Sequence, residues 1–129
     1  MEDILKKYPL LKDKIVPRET FLDFENFIAM LQKINEEINI ISKESAKNEV
    51  IRERHIVDSA QIIDFIDLNS NIITDIGSGG GMPGIIISIM IKNLQKPIKI
   101  NLYEKSHHKS SFLRKVSRDL KLNTEVIQK

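Results

Sequence analysis

The chain has 129 residues, 20 Lys+Arg against 18 Asp+Glu, 41% hydrophobic residues, and neither Cys nor Trp. At roughly 150 residues per domain this is about one domain with a modest core. No apolar run approaches the roughly 20 residues of a membrane-spanning helix, and without cysteine these residues can form no disulfide framework, thiolate nucleophile or thiolate metal site.

Taken in chain order, the N-terminus Met1-Glu-Asp-Ile-Leu-Lys-Lys7 is charged from its second residue and has no secretory apolar region, so a cytoplasmic location is expected. Pro17 is placed to open a helix. Phe21, Phe24, Ile28, Leu31 and Ile34 then recur at the 3–4 spacing of one apolar stripe. Ser42 or Ser45 stands where a further short helix could be capped. In a second amphipathic run Val50, Ile51, Ile56, Ile62, Ile63 and Ile66 alternate with Arg52, Glu53, Arg54, Asp58 and Asp64, and Asn69-Ser-Asn71 reads as a turn. Residues 1–70 are therefore expected to form an N-terminal helical segment.

From residue 71 the period changes. Ile72–Ile76 is a short β-branched run, Ile85–Leu94 an apolar stretch long enough for a buried helix, and Ile98–Tyr103 alternates like a strand after the break at Pro97. His108–Leu122 carries Phe112, Leu113, Val116 and Leu120 at helical spacing, and Thr124–Ile127 starts another strand. This order predicts an α/β fold, with a Rossmann-like parallel sheet over residues 71–129.

All five glycines (Gly77, Gly79, Gly80, Gly81 and Gly84) fall between the first strand and the helix after it. Glycine is costly to order and is used where backbone must turn sharply or approach closely, so five together mark one loop with a special task. The run Asp75-Ile-Gly-Ser-Gly-Gly-Gly-Met-Pro-Gly84 has no Lys-Ser/Thr after it, which excludes a Walker-type phosphate loop, and its spacing departs from the dinucleotide pattern G-x-G-x-x-G. Glu104 ends the second predicted strand, where an acid in such a sheet reaches the two hydroxyls of a ribose. Asp75 before the loop, the Gly77-x-Gly79-x-Gly81 spacing and Pro83 favour S-adenosylmethionine over a dinucleotide. Charge is asymmetric: residues 1–91 hold ten Lys/Arg against fifteen Asp/Glu, whereas residues 92–129 hold ten against three. Such a basic segment suits a polyanionic partner, and equally the solvated face of a Lys-rich helix.

Three runs together resemble the RsmG (GidB) family: Arg54-His55-Ile-Val-Asp58-Ser59, the glycine loop, and Glu104-Lys-Ser-His-His-Lys109 with Phe112-Leu113. Upstream, Asn35-Glu-Glu-Ile-Asn39-Ile is similar to that family's Trp-Asn-x-x-Ile-Asn-Leu segment, with Ile34 at the tryptophan position. Members are bacterial methyltransferases acting on N7 of a guanine in 16S rRNA of the small ribosomal subunit. The resemblance implies that Asp75, Gly77, Ser78, Gly79, Gly81 and Glu104 bind S-adenosylmethionine. It also implies that Arg54, His55, Asp58, Ser59 and Lys109 lie toward the RNA, although His55 and Asp58 also read as a local polar pair on a helix and Lys109 as a solvated first-turn lysine. No general acid or base is expected, since guanine N7 already presents a lone pair. No metal is expected, since His107-His108 has no third ligand at suitable spacing.

Family members are longer, and their sheet continues beyond the point where this sequence stops. The expectation is therefore the first half of a class I methyltransferase sheet, with strand three barely formed and the apolar outer edge of strand one free for self-association. A chain of this length is expected to be inactive alone. The alternative is a non-catalytic remnant that binds cofactor or RNA weakly.

Overall fold

The computed structural model describes residues 17–44, 46–47 and 55–129. Val50, Ile51, Arg52, Glu53 and Arg54, and the candidate cap Ser45, lie outside the described residues. The elements in chain order are α1 (Arg18–Asn35), α2 (Val57–Gln61) continued by a 3-10 turn (Ile62–Phe65), β1 (Ile72–Ile76), α3 (Gly84–Asn93), β2 (Lys99–Tyr103), α4 (His107–Asp119) and β3 (Thr124–Ile127).

The strands form a parallel sheet in the order β1-β2-β3, with Ile72 opposite Lys99, Ile76 opposite Tyr103, Ile100 opposite Thr124 and Tyr103 opposite Ile127. Strand, helix, strand, helix, strand with parallel pairing is a Rossmann-like α/β arrangement, as the sequence pattern predicts. β3 is better formed than expected. All four of its residues are in register with β2, and the ladder is extended at both ends by Ile100 N–H donating to Asn123 O and Glu104 N–H to Ile127 O, each at 3.0 Å.

One sheet face is packed and the other is open. Ile100 and Leu102 of β2 are buried together with Ile85, Ile86 and Ile89 of α3 and Leu113 and Val116 of α4. α1 packs against both α3 and α4, and the rings of Phe27 and Phe112 lie 6.3 Å apart across that contact. Phe27 is fully buried although the predicted stripe omits it; it stands three residues after Phe24 and four before Leu31, on the same face. α1 and α2 thus share one continuous apolar core with the helices of the sheet. Asp23 of α1 fastens this layer by accepting from Lys92 Nζ at 2.6 Å and Asn93 Nδ2 at 2.9 Å. On the opposite sheet face Ile72 and Ile76 remain exposed, and β1 stands at the sheet edge.

Ala46 N–H donates to Ser42 O at 2.9 Å, and the further short helix that Ser42 or Ser45 could cap would run into residues outside the described ones. One expectation needs correction. α4 stops at Asp119, three residues short of Leu122. Lys121 takes φ +55°, its N–H donates to Arg118 O, and Leu122 N–H donates to Ser117 O. This paired closure of the last carbonyls is a Schellman motif. α3 ends in the same way at Gln95 (φ +57°), where Lys96 N–H donates to Ile91 O.

Candidate functional site

The two turns that leave the carboxyl ends of β1 and β2 meet. Gly77 and Ser78 both donate their N–H groups to Tyr103 O at 2.9 Å, which ties the start of the glycine loop to the end of β2. The loop then coils with Gly77, Gly79 and Gly81 at φ +76°, +52° and +98°. Gly81 is the most constrained. Its φ disfavours any side chain, and a Cβ there would lie 2.7 Å from Ile85 Cγ1. Gly81 N–H donates to Ser78 O and Ile85 N–H to Gly81 O, so the loop runs directly into α3.

Glu104 is 8% exposed and joins the two turns with its carboxylate. Oε1 accepts from Gly79 N–H at 3.0 Å and Oε2 from Ser106 N–H at 2.7 Å. Ser110 Oγ donates to Glu104 O at 2.9 Å, and Ser106 caps α4 with its hydroxyl accepting from Lys109 N–H. Beside this carboxylate a cleft of about 500 Å³ is lined by Thr74, Ile76, Gly77, Tyr103, Glu104, Lys105 and Lys129. A carboxylate and an aromatic ring around such a volume suit a ligand with paired hydroxyls and an apolar body.

Asp75 takes a different place. Its carboxylate is turned toward the start of α3, where Oδ2 would block a Cβ on Gly84, and it does not line the cleft. Oδ2 is buried without a hydrogen-bond partner. Burial pushes the carboxyl pKa up from the ordinary 3.8, and the nearby Ser78 hydroxyl and Gly84 backbone oppose that rise. Ser78 is itself fully buried, with Oγ donating to Asp75 O at 3.2 Å.

The residues with an RNA-side expectation are not gathered in the cleft. Arg54 lies outside the described residues. His55 is half-buried with Nε2 unpartnered, Asp58 is exposed, Ser59 is buried in α2, and Lys109 sits half-buried in the first turn of α4. In the basic segment Lys92 is committed to Asp23 and to Leu120 O, and Lys99 pairs with Glu125. His107 and His108 have ring centroids 5.9 Å apart, and among the described residues no group of three or more His, Asp or Glu could hold a metal ion. Among the same residues no helix is long and apolar enough to cross a membrane.

The sequence reading leaves Tyr103 and Ser106 without a role. The serine was legible as a cap, since it stands just before the first helical residue of α4. Tyr103 holds the start of the loop through its carbonyl, for which side-chain identity gives no signal.

Comparison with known proteins bears on the same elements. Residues 21–129 match the model of the GidB family, described as rRNA small subunit methyltransferase G. A Ribosomal RNA small subunit methyltransferase G from Pelagibacter ubique is 80% identical over 128 residues, covering 99% of this chain and 60% of that protein. Proteins of the same name from Cereibacter sphaeroides and Rickettsia rickettsii are 34% and 37% identical over 112 residues, covering 87% of this chain and 53% and 55% of theirs. The chain therefore spans 60% or less of the length of these relatives. With a match over residues 21–129, which include both turns of the site, the chain belongs to the GidB family of rRNA small subunit methyltransferases.

Proposed function

We propose that these residues form the S-adenosylmethionine-binding part of a cytoplasmic enzyme that methylates N7 of a guanine in 16S rRNA of the small ribosomal subunit. The observation that carries this reading is the junction of Glu104 with the glycine loop at 3.0 Å, in a chain of the GidB family.

The residues fit an adenosyl ligand. Each oxygen of Glu104 accepts one backbone N–H and keeps a second lone pair for a ribose hydroxyl. Space is open around Gly77, where an added Cβ would meet nothing within 4 Å, and Ile76 and Tyr103 offer an apolar wall. In this reading Gly77, Ser78, Gly79 and Gly81 shape the loop around the ligand, and Glu104 holds its ribose. Asp75 acts indirectly by fixing the start of α3.

S-Adenosylmethionine, when bound, supplies a methyl group activated by its sulfonium. Guanine N7 needs no deprotonation, so no side chain of this chain is assigned acid or base work. The chain's contribution is to hold the ligand at one angle and depth so that the incoming base meets the methyl group in line. The RNA side is assigned to Arg54, His55, Asp58, Ser59 and Lys109, aided by lysines and arginines of residues 92–129, and binding there would weaken with salt.

Titration with S-adenosylhomocysteine and with NAD tests the ligand class: preference for NAD overturns the reading. Methyl transfer to unmethylated small subunits, measured with these residues in the longer Pelagibacter protein and with Gly79→Arg as control, tests the reaction. In a polypeptide of these 129 residues alone, Ile76 is 84% exposed at the cleft, so such a polypeptide is expected to give no substantial transfer. This exposure favours, for the isolated polypeptide, the second reading of weak binding without catalysis; incorporation above the Gly79→Arg control would exclude it.

A further inference from the structure

The turn after α1 is shaped by one side chain. Asn35 ends α1, and its Oδ1 accepts from Ile40 N–H at 2.8 Å and Ile41 N–H at 2.9 Å. A carbonyl oxygen has two lone pairs, so this single amide takes both donors, sharing Ile40 N–H with Ile38 O at 2.8 Å, and fixes the reversal of the chain. The reversal delivers two isoleucines to the glycine loop. A Cβ placed on Gly80 would lie 2.9 Å from Ile41 Cγ2, 3.4 Å from Ile40 Cγ2 and 3.9 Å from Leu31 Cδ1. At the next residue, a Cβ on Gly81 would lie 3.3 Å from Phe27 Cζ. None of these four apolar residues lines the cleft. Glu104 holds the loop through Gly79 N–H, whereas α1 and its turn hold it by close apolar contact at Gly80 and Gly81.

We propose that Asn35 is a positioning residue for the glycine loop: by fixing the Ile40–Ile41 turn it sets where Gly79–Gly81 stands relative to Glu104. The proposal deepens the cofactor reading and rests on it for the identity of the ligand, while the brace itself involves only residues of this chain. Asn35 acts as an acceptor in both bonds, so aspartate in its place retains them and alanine loses them.

The test is amide hydrogen exchange on the 129-residue chain carrying Asn35→Ala or Asn35→Asp, with an S-adenosylhomocysteine titration alongside. In Asn35→Ala, the N–H groups of Gly77, Ser78, Gly79 and Gly81 should exchange about tenfold faster or more, while Ile100 and Leu102 of β2 change by no more than about threefold. Asn35→Asp should return the loop to within about threefold of the parent. A uniform rise across loop and sheet, or an aspartate variant as fast as the alanine one, overturns the proposal. Should Asn35→Ala fail to fold, Gly80→Ala presses on the same contact from the loop side. It should lower protection of Ile40 and Ile41 with β2 unchanged, and full protection there overturns the brace. The titration separates the two readings. A parent chain that ignores S-adenosylhomocysteine removes the cofactor reading while exchange still decides the brace; a parent that binds it, with a loop insensitive to Asn35, removes the brace alone.

Discussion

The two turns at the carboxyl edge of the sheet solve opposite problems. The turn after β1 is made of backbone: three of its residues take positive φ, space is open at Gly77, and α3 behind it begins without a side-chain cap. The turn after β2 is made of side chains: Glu104 accepts two backbone N–H groups, Ser106 caps α4, and Ser110 ties back to Glu104 O. One turn supplies room and the other supplies charge. A site arises because the carboxylate of the second turn is also what anchors the first, so charge and space are set by the same hydrogen bonds.

That contrast can be broken from the side of space first. Gly81→Ala combines an unfavourable φ with a 2.7 Å contact to Ile85, and should cost about 2–4 kcal/mol in urea unfolding. A loss under about 0.5 kcal/mol would mean that the loop is not held as described. From the side of charge, Glu104→Ala strands the N–H groups of Gly79 and Ser106 and removes the acceptors proposed for the ribose. Hydrogen bonds to a charged group contribute about 1.5–3 kcal/mol, so S-adenosylhomocysteine affinity should fall about 10- to 100-fold by calorimetry. Unchanged affinity would take Glu104 out of the ribose role. Ser106→Ala sharpens the comparison, because it touches only the side-chain turn. Its capping bond is long at 3.4 Å, so the loss should be about 0.5–1 kcal/mol of stability, read as a shift in the urea midpoint.

The smallest effect is the pH dependence from Asp75. Its folded pKa is raised by burial, so the folded chain holds this proton more tightly than the unfolded one. Its contribution to stability is therefore greatest below the ordinary value of 3.8 and is lost as pH rises through the raised folded value. Asp75→Asn should flatten the stability profile in that window, as seen in thermal melts across acidic pH. A profile that keeps its slope would assign the slope to other carboxylates.

Much of this was legible in sequence because it depends on neighbours along the chain. β1 and β3 fall on their predicted residues, α3 and β2 within one residue of theirs, and the clustering of all five glycines located the loop. Glu104 was legible as a strand-end acid, but not as a residue whose two oxygens already serve backbone N–H groups, since those donors come from two different turns. The place of Asp75 before the loop marks it as a cofactor-binding candidate, and the sequence carries no sign of its contact with the start of α3. β-strand alternation puts it on the packed face with Ile73, and it meets Gly84 there instead of the cleft. The Asn35–Ile41–Gly80 contact left no periodic trace, because it spans forty-five residues and depends on how α1 lies against the loop.

The ends of α3 and α4 show how unevenly the sequence distributes its most permissive residue. Gln95 and Lys121 reverse the chain in a left-handed conformation that glycine would adopt without a Cβ penalty, yet every glycine is in the loop or at the first residue of α3 behind it. Both reversals precede a strand, so they lie at the edge of the sheet opposite the cleft. For an engineer this is usable headroom. Glycine at either position relieves a penalty of about 1 kcal/mol without altering a residue of the site. A more robust scaffold could thus be built at one rim of the sheet while the chemistry at the other is left as it stands.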